Sequence, residues 1–373
     1  MLKTIPKWAI AGLIYGEAPH YIDHLAPLCS LLDIPLLVTG EEEEASLKKF
    51  YPQVNTTLIN AIQMPDFVVS HLDVIITCTP RILFDEIFFF TQKLYNKKIH
   101  TLWCPHGNSD KGHNSLFMEG LNKEEIALVY GQKMIDFLQL KGSFSQLKKH
   151  IITGNYRKSY CLKHQEFYNQ IVQDKILKKL PSAQKTVLYA PTWKDCENSS
   201  SFTKAIPFLV EALPDHWNLI IKPHPHLLAE NEEKNRALID FYEGHERVLF
   251  LTEFPPIFPL LKQADLYIGD FSSIGYDFLG FNKPMFFLNE QERDFEKDPG
   301  LYLYQCGTEI RPANYGKIYE LIQENLKEDS LRFSKIRKEV DEYTFKPDIS
   351  DKQLKEDIFS SFTCFPDPDL NFF

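Results

Sequence analysis

Ala264-Asp265-Leu266-Tyr267-Ile268-Gly269-Asp270-Phe271-Ser272-Ser273-Ile274-Gly275-Tyr276-Asp277-Phe278 is the stretch whose reading decides the fold. The run 266–269 has the apolar content of a buried strand. It stops at Asp270, and paired serines then open a helix, serine being a favoured N-cap residue. A buried strand feeding straight into a helix is half of a βαβ unit, which implies a parallel sheet covered on both faces.

The same alternation extends outward to both ends of the chain. Strand-like runs fall at 8–14, 34–38, 74–78, 99–104, 187–189, 217–221, 248–251 and 284–288, with helical spacing between them, as at 19–32. No repeat of fixed period is present, and the fold class is α/β. Two sets of strands separate: one ends near Gly154, and the other begins near Lys185 after a helical stretch at 165–180. The expected domains are a Rossmann-like, acceptor-side domain at 1–164 and a Rossmann-like, nucleotide-binding domain at 165–345. A C-terminal helix within 346–373 is expected to pack back on the first domain. Four successive acids, Glu41 to Glu44, read as a solvated loop or helix start.

The 373 residues suffice for two or three domains with sizeable cores. Hydrophobic residues at 44% and charged residues at 25% are ordinary globular usage, which excludes a fibrous or disordered chain. A formal net charge of −10 argues against nucleic acid as a partner. The seven cysteines are scattered, odd in number and without a C-x-x-C pair, so neither a zinc site nor a disulfide framework is expected. Residues 1–7 lack the apolar core of a signal peptide, and no run approaches the ~18 apolar residues of a membrane span. The expectation is a cytoplasmic protein. The segment 133–179 holds ten Lys/Arg against three Asp/Glu. It reads either as a solvated helix face or as a surface for peripheral contact with an anionic membrane face.

Four segments gather chemistry where strands end, which is where open α/β sheets bind ligands. In the first, His106-Gly107 follows Trp103-Cys104-Pro105 and runs on to Lys111 and His113. Histidine takes up and releases a proton near neutral pH, so His106 is the candidate general base. In the second, Leu188-Tyr189-Ala190-Pro191-Thr192-Trp193-Lys194, a proline breaks the strand and offers the Thr192 hydroxyl beside Trp193. In the third, Lys222-Pro223-His224-Pro225, two prolines stiffen the backbone between a lysine and a histidine suited to phosphate. The fourth is the opening stretch, where Ser272 and Ser273 at a helix start make an anion pocket, with Asp270 and Asp277 in support. Each element alone has a plain structural reading, as a turn, a cap or packing. Together they suggest a GT-B-like transferase, two Rossmann-like domains facing across a cleft.

The order of these elements resembles the CDP-glycerol glycerophosphotransferase family of teichoic-acid-type polymerases and primases. The likeness runs over 99–303 and includes Gly154-Asn155-Tyr156-Arg157 and Asn282-Lys283-Pro284. It implies transfer of a glycerol- or ribitol-phosphate group from a CDP-linked donor to a hydroxyl of a glycan or lipid-linked acceptor. His106 would be the base. Lys222, His224, Ser272, Ser273, Thr192 and Arg157 would hold the donor, with Gly107, Asp270, Asp277 and Trp193 supporting them. No metal ligand set and no obligatory cofactor are expected, and a lipid-linked acceptor would place the protein at the inner membrane face. Two other readings stay open: a GT-B glycosyltransferase using a CMP-, CDP- or UDP-sugar, and a noncatalytic nucleotide-binding protein. The pairing of a His-Pro and a Ser-Ser element is also similar to bacterial CMP-sugar transferases.

Overall fold

The computed structural model describes residues 8–113, 118–144, 147–194, 197, 200–229 and 232–365. They form two compact units, one from the described residues within 1–106, 118–160 and 344–373, the other from those within 107–117 and 161–343.

The first unit holds a sheet of β1 (Ile10–Ile14), β2 (Leu36–Val38), β3 (Thr56–Leu58), β4 (Val74–Thr77), β5 (His100–Trp103), β6 (Ile126–Val129) and β7 (Lys149–Ile152). The second holds β8 (Lys185–Ala190), β9 (Trp217–Ile221), β10 (Val248–Phe250), β11 (Leu266–Gly269), β12 (Met285–Leu288) and β13 (Thr308–Ile310). Spatial order is 3-2-1-4-5-6-7 in one and 10-9-8-11-12-13 in the other, and the strand pairs are parallel. Counted from its own first strand, each sheet has the 3-2-1-4-5-6 order of a Rossmann sheet. Each therefore reverses direction beside its first strand, between β1 and β4 and between β8 and β11.

The central strands β1, β4, β9, β11 and β12 are buried along their whole length, so they read as apolar runs without alternation. In the first unit Leu13, Ile75, Val68, Phe84 and Phe88 share one core. In the second, Val187, Leu219, Leu266 and Phe286 pack with Phe202, Ile206 and Leu209 of the helix Phe202–Glu211. Four strands, β3, β6, β7 and β13, are additional to those read from sequence. β3, β7 and β13 lie at sheet edges; β3 has no buried residue, and β7 and β13 have one each. β6 is fully buried, its Ile126-Ala127-Leu128-Val129 forming one short apolar run.

The four acids open the helix Glu41–Phe50, as expected for negative charge at a helix start. They are not uniformly solvated: Glu43 is buried and accepts a hydrogen bond from the Ala18 N–H at 3.1 Å. Desolvation raises its carboxyl above the usual range.

The chain rejoins the first unit at Thr344. There it crosses so close to the backbone that a Cβ on Gly131 would lie 2.5 Å from the Thr344 carbonyl oxygen. The helix Asp351–Ser361, capped by the Ser350 hydroxyl on Gln353 N–H, buries Leu354 and Ile358 against this unit.

Candidate functional site

In the second unit the loops after β8, β9 and β11, three neighbouring strands, carry three of the four predicted segments to one sheet edge, at the point where strand order reverses. Asp270 is the anchor of that edge. Its side chain is buried and accepts from Thr192 N–H (2.8 Å), Ser201 N–H (2.9 Å) and the Ser201 hydroxyl (2.7 Å). Burial pushes its carboxyl up, while these donors and the charge of Lys111 pull it down. Asp270 thus ties the end of β11 to the end of β8 and to the start of the helix Phe202–Glu211. Ser201, which carries two of the three bonds, has no signal in the sequence. Asp270→Ala is expected to destabilise the second unit by roughly 3 kcal/mol, because buried donors lose a charged acceptor. Urea unfolding followed by tryptophan fluorescence measures it.

Lys222 is buried at the end of β9, its N–H donating to the Tyr189 carbonyl at 2.9 Å. His224 Nδ1 accepts from His226 N–H at 3.1 Å, so a neutral His224 carries its proton on Nε2. The rings of Trp193, His224 and His226 lie together, with centroids 5.3–6.3 Å apart.

The segment after His106 belongs to this unit as well. Gly107 sits at φ +128°, and a Cβ there would lie 2.7 Å from Ser273 Oγ and 2.8 Å from Ser273 Cβ. The Ser109 hydroxyl donates to Phe271 O (3.4 Å), and Gly112 N–H to Glu197 (2.9 Å). Buried Asp110 accepts from the Tyr276 hydroxyl (2.7 Å) and from Leu303 N–H (3.2 Å). Lys111 Nζ donates to the Thr192 hydroxyl and lies 5.1 Å from the Trp193 ring centroid.

The serine pair is less open than its sequence reads. The helix Ile274–Leu279 has only six residues, so its dipole is small. Three of its first N–H groups are engaged locally: Gly275 donates to Ser272 O, and Tyr276 and Asp277 to Ser273 O. The Ile274 N–H in turn donates to the Ser272 hydroxyl at 3.4 Å. Asp277 is buried on the same helix.

His106 ends its stretch of the first unit, three residues beyond β5. The carbonyl of Pro105 accepts from the Tyr130 hydroxyl (2.9 Å), which leaves that oxygen to accept from His24 Nδ1 (2.8 Å). Burial first, then the charges of Arg157, His106 and His20, hold His24 well below the usual imidazole range. It is therefore a neutral donor. The rings of His20 and Tyr21 lie 5.7 and 5.0 Å from that of His106. Neither Tyr130 nor His24 is marked by any motif.

Arg157, expected from the resemblance to meet the donor, lies in the first unit. It is buried and pairs with Asp23 at 2.8 Å. Gly154, three residues earlier, takes φ +58°, and its Cβ position is 2.9 Å from the Pro347 carbonyl oxygen, so the Gly-x-x-Arg element packs the returning chain. Arg157→Ala is expected to lower the unfolding free energy by about 3 kcal/mol, since it removes the buried cation paired with the Asp23 carboxylate and leaves it the Tyr51 hydroxyl (2.6 Å). CDP affinity, read by calorimetry, should stay within about twofold of wild type.

The basic stretch 133–179 is partly neutralised. Lys133 is buried, Lys148 pairs with Glu125 (2.7 Å) and Lys178 with Asp174 (2.6 Å). Among the described residues no helix is long and apolar enough to cross a membrane, and no group of three or more His, Cys, Asp or Glu is arranged to hold a metal ion.

This chain is similar to proteins of teichoic acid synthesis. The minor teichoic acid biosynthesis protein GgaB of Bacillus subtilis is 24% identical over 268 residues, 68% of this chain and 29% of GgaB. The teichoic acid glycerol-phosphate primase of Bacillus spizizenii is 29% identical over 139 residues, 36% of this chain and 33% of the primase. The chain thus spans about a third of the length of these relatives. The wall teichoic acid polymerase TagF has the same fold, with a TM-score of 0.65 over 96% of this chain and 89% of that one at 15% identity. TagF soaked with CDPG gives 0.63 over 96% and 88%, at 14% identity. The family model described as CDP-Glycerol:Poly(glycerophosphate) glycerophosphotransferase matches residues 121–345. Covering more than half of the sequence, that match identifies the chain as a member of the CDP-glycerol:poly(glycerophosphate) glycerophosphotransferase family.

Proposed function

We propose that the protein transfers a polyol-phosphate group, glycerol- or ribitol-phosphate, from a CDP-linked donor to a hydroxyl of a glycan or lipid-linked acceptor. Family membership over 121–345 is the observation that carries this reading. The chemistry at the β8/β9/β11 edge agrees with it. Lys222 and His224 supply positive charge and a donor, and Thr192, Ser272 and Ser273 supply hydroxyls. Phosphoryl transfer needs positioning and charge stabilisation more than covalent help from the protein.

In the proposed step His106 takes the proton of the acceptor hydroxyl. The oxygen bonds to the β-phosphorus, the bond from that phosphorus to the bridging oxygen breaks, and CMP leaves with the bridging oxygen. The negative charge that builds on the phosphoryl oxygens and on CMP is met by Lys222, His224 and the two serine hydroxyls. Asp270 and Trp193 position these groups and touch no reacting atom.

Incubation with CDP-glycerol, CDP-ribitol and a panel of CMP-, CDP- and UDP-sugars, each with a glycan or lipid-linked acceptor, tests the proposal. CMP release dependent on acceptor and on a CDP-polyol is expected. Consumption of a sugar nucleotide instead would make the protein a glycosyltransferase. Nucleotide binding with no donor consumed would make it a noncatalytic binding protein.

A further inference from the structure

A buried phenol lies beneath the serine pair. Tyr267, inside β11, is fully buried, its ring stacked on Phe278 (centroids 5.5 Å apart) and edge-on to Phe287 (6.4 Å). The ring runs along the strand towards Asp270. A Cβ on Gly269 would overlap the Tyr267 hydroxyl, and a Cβ on Gly275 would lie 3.4 Å from it. These two glycines therefore leave the space that the phenol fills. Its hydroxyl ends under the turn from Ser272 to Gly275, which Gly275 N–H closes on Ser272 O at 3.2 Å. Among the described residues no group accepts or donates a hydrogen bond at bonding geometry to this hydroxyl. The groups that act on it are Asp270, the Ser272 side chain and Asp277. Burial first, and then the charge of Asp270, hold the phenol well above its usual range, so it keeps its proton.

A buried O–H without an acceptor costs stability, and phenylalanine would fill the same space without that cost. The hydroxyl therefore needs a reason beyond packing. Ser272 supplies one. Its Oγ takes only a long bond, 3.4 Å, from the Ile274 N–H. A serine hydroxyl has one proton to donate and two lone pairs to accept with. When Oγ accepts from Tyr267, the Ser272 proton points away from the phenol. We propose that Tyr267 is a positioning residue for Ser272: its hydroxyl donates to Ser272 Oγ when the nucleotide-activated donor binds, and so aims the Ser272 O–H at a phosphoryl oxygen. The assignment rests on the donor reading above. Tyr267 itself touches no donor atom. The cost of its unmatched hydroxyl falls on the protein without donor and is relieved with donor bound, so removing the hydroxyl moves stability and affinity in opposite directions.

A double-mutant cycle tests the assignment, read by calorimetric titration with CDP and by thermal midpoint. Tyr267→Phe removes only the hydroxyl and is expected to weaken CDP binding by about fivefold, with a midpoint at or above wild type. Ser272→Ala is expected to weaken it by about tenfold or more. The double variant should bind CDP as Ser272→Ala does, because no serine hydroxyl is left to aim. Wild-type CDP affinity in either single variant would overturn the assignment and leave the donor reading intact. Additive losses in the double variant would also overturn it, since Tyr267 would then act independently of Ser272. A lowered midpoint in Tyr267→Phe would overturn it as well, because the hydroxyl would then be satisfied without donor. No binding of CDP by the wild type would end the donor reading and the assignment with it.

Discussion

His106→Ala is expected to lower kcat by about 10²–10⁴-fold, the usual contribution of general-base catalysis, with CDP affinity close to wild type. The reason is the proposed division of labour between the two units. His106 belongs to the first, and the residues proposed to hold the donor belong to the second. In the proposed step the base acts on the acceptor hydroxyl, so its loss leaves the hydroxyls, Lys222 and His224 in place. Acceptor-dependent CMP release and CDP calorimetry on the same variant read the two quantities. A parallel collapse of CDP affinity would assign His106 to donor binding instead. Because Tyr130 holds the Pro105 carbonyl beside this histidine, Tyr130→Phe should lower kcat in the same direction but less.

Gly107→Ala is expected to remove activity and to weaken CDP binding by about tenfold or more. Two costs add. Alanine at φ +128° is strained by roughly 1–3 kcal/mol, and its Cβ would occupy space already filled by Ser273. Either the loop lifts away from the second unit's sheet edge, or Ser273 moves out of the proposed donor site. The double variant Gly107→Ala/Ser273→Gly separates the two costs. It relieves the contact but not the backbone strain, so partial recovery of the second unit's thermal midpoint is expected. CDP affinity should stay low, because the Ser273 hydroxyl is gone. No recovery at all would assign the whole effect to φ.

Much of this protein is legible in its sequence because the informative signals are local. A parallel strand buried on both faces is an apolar run whatever surrounds it, so β1, β4, β9, β11 and β12 are readable one at a time. Prolines at 191, 223 and 225 mark strand ends through their own covalent geometry. The motifs at His106, Thr192, Lys222 and Ser272 therefore stand out, and in this order they resemble one family. The edge strands β3, β7 and β13 are not readable, since at most one residue of each is buried and no apolar run results.

The tertiary structure alone decided which of these residues share a unit and what each side chain touches. Arg157 reads as a donor ligand by its place in a motif, yet its guanidinium is buried against Asp23, 134 residues earlier. Asp270 reads as a helix-opening acid, yet its bonds run to Thr192 and Ser201, 78 and 69 residues away. Lys111 meets Thr192, 81 residues away in the chain, and Trp193 beside it, both from the end of another strand. Hydrophobic pattern records burial, which each residue experiences separately. A hydrogen bond or an ion pair across many tens of residues depends on where two strand ends arrive, and only the assembled sheets determine that.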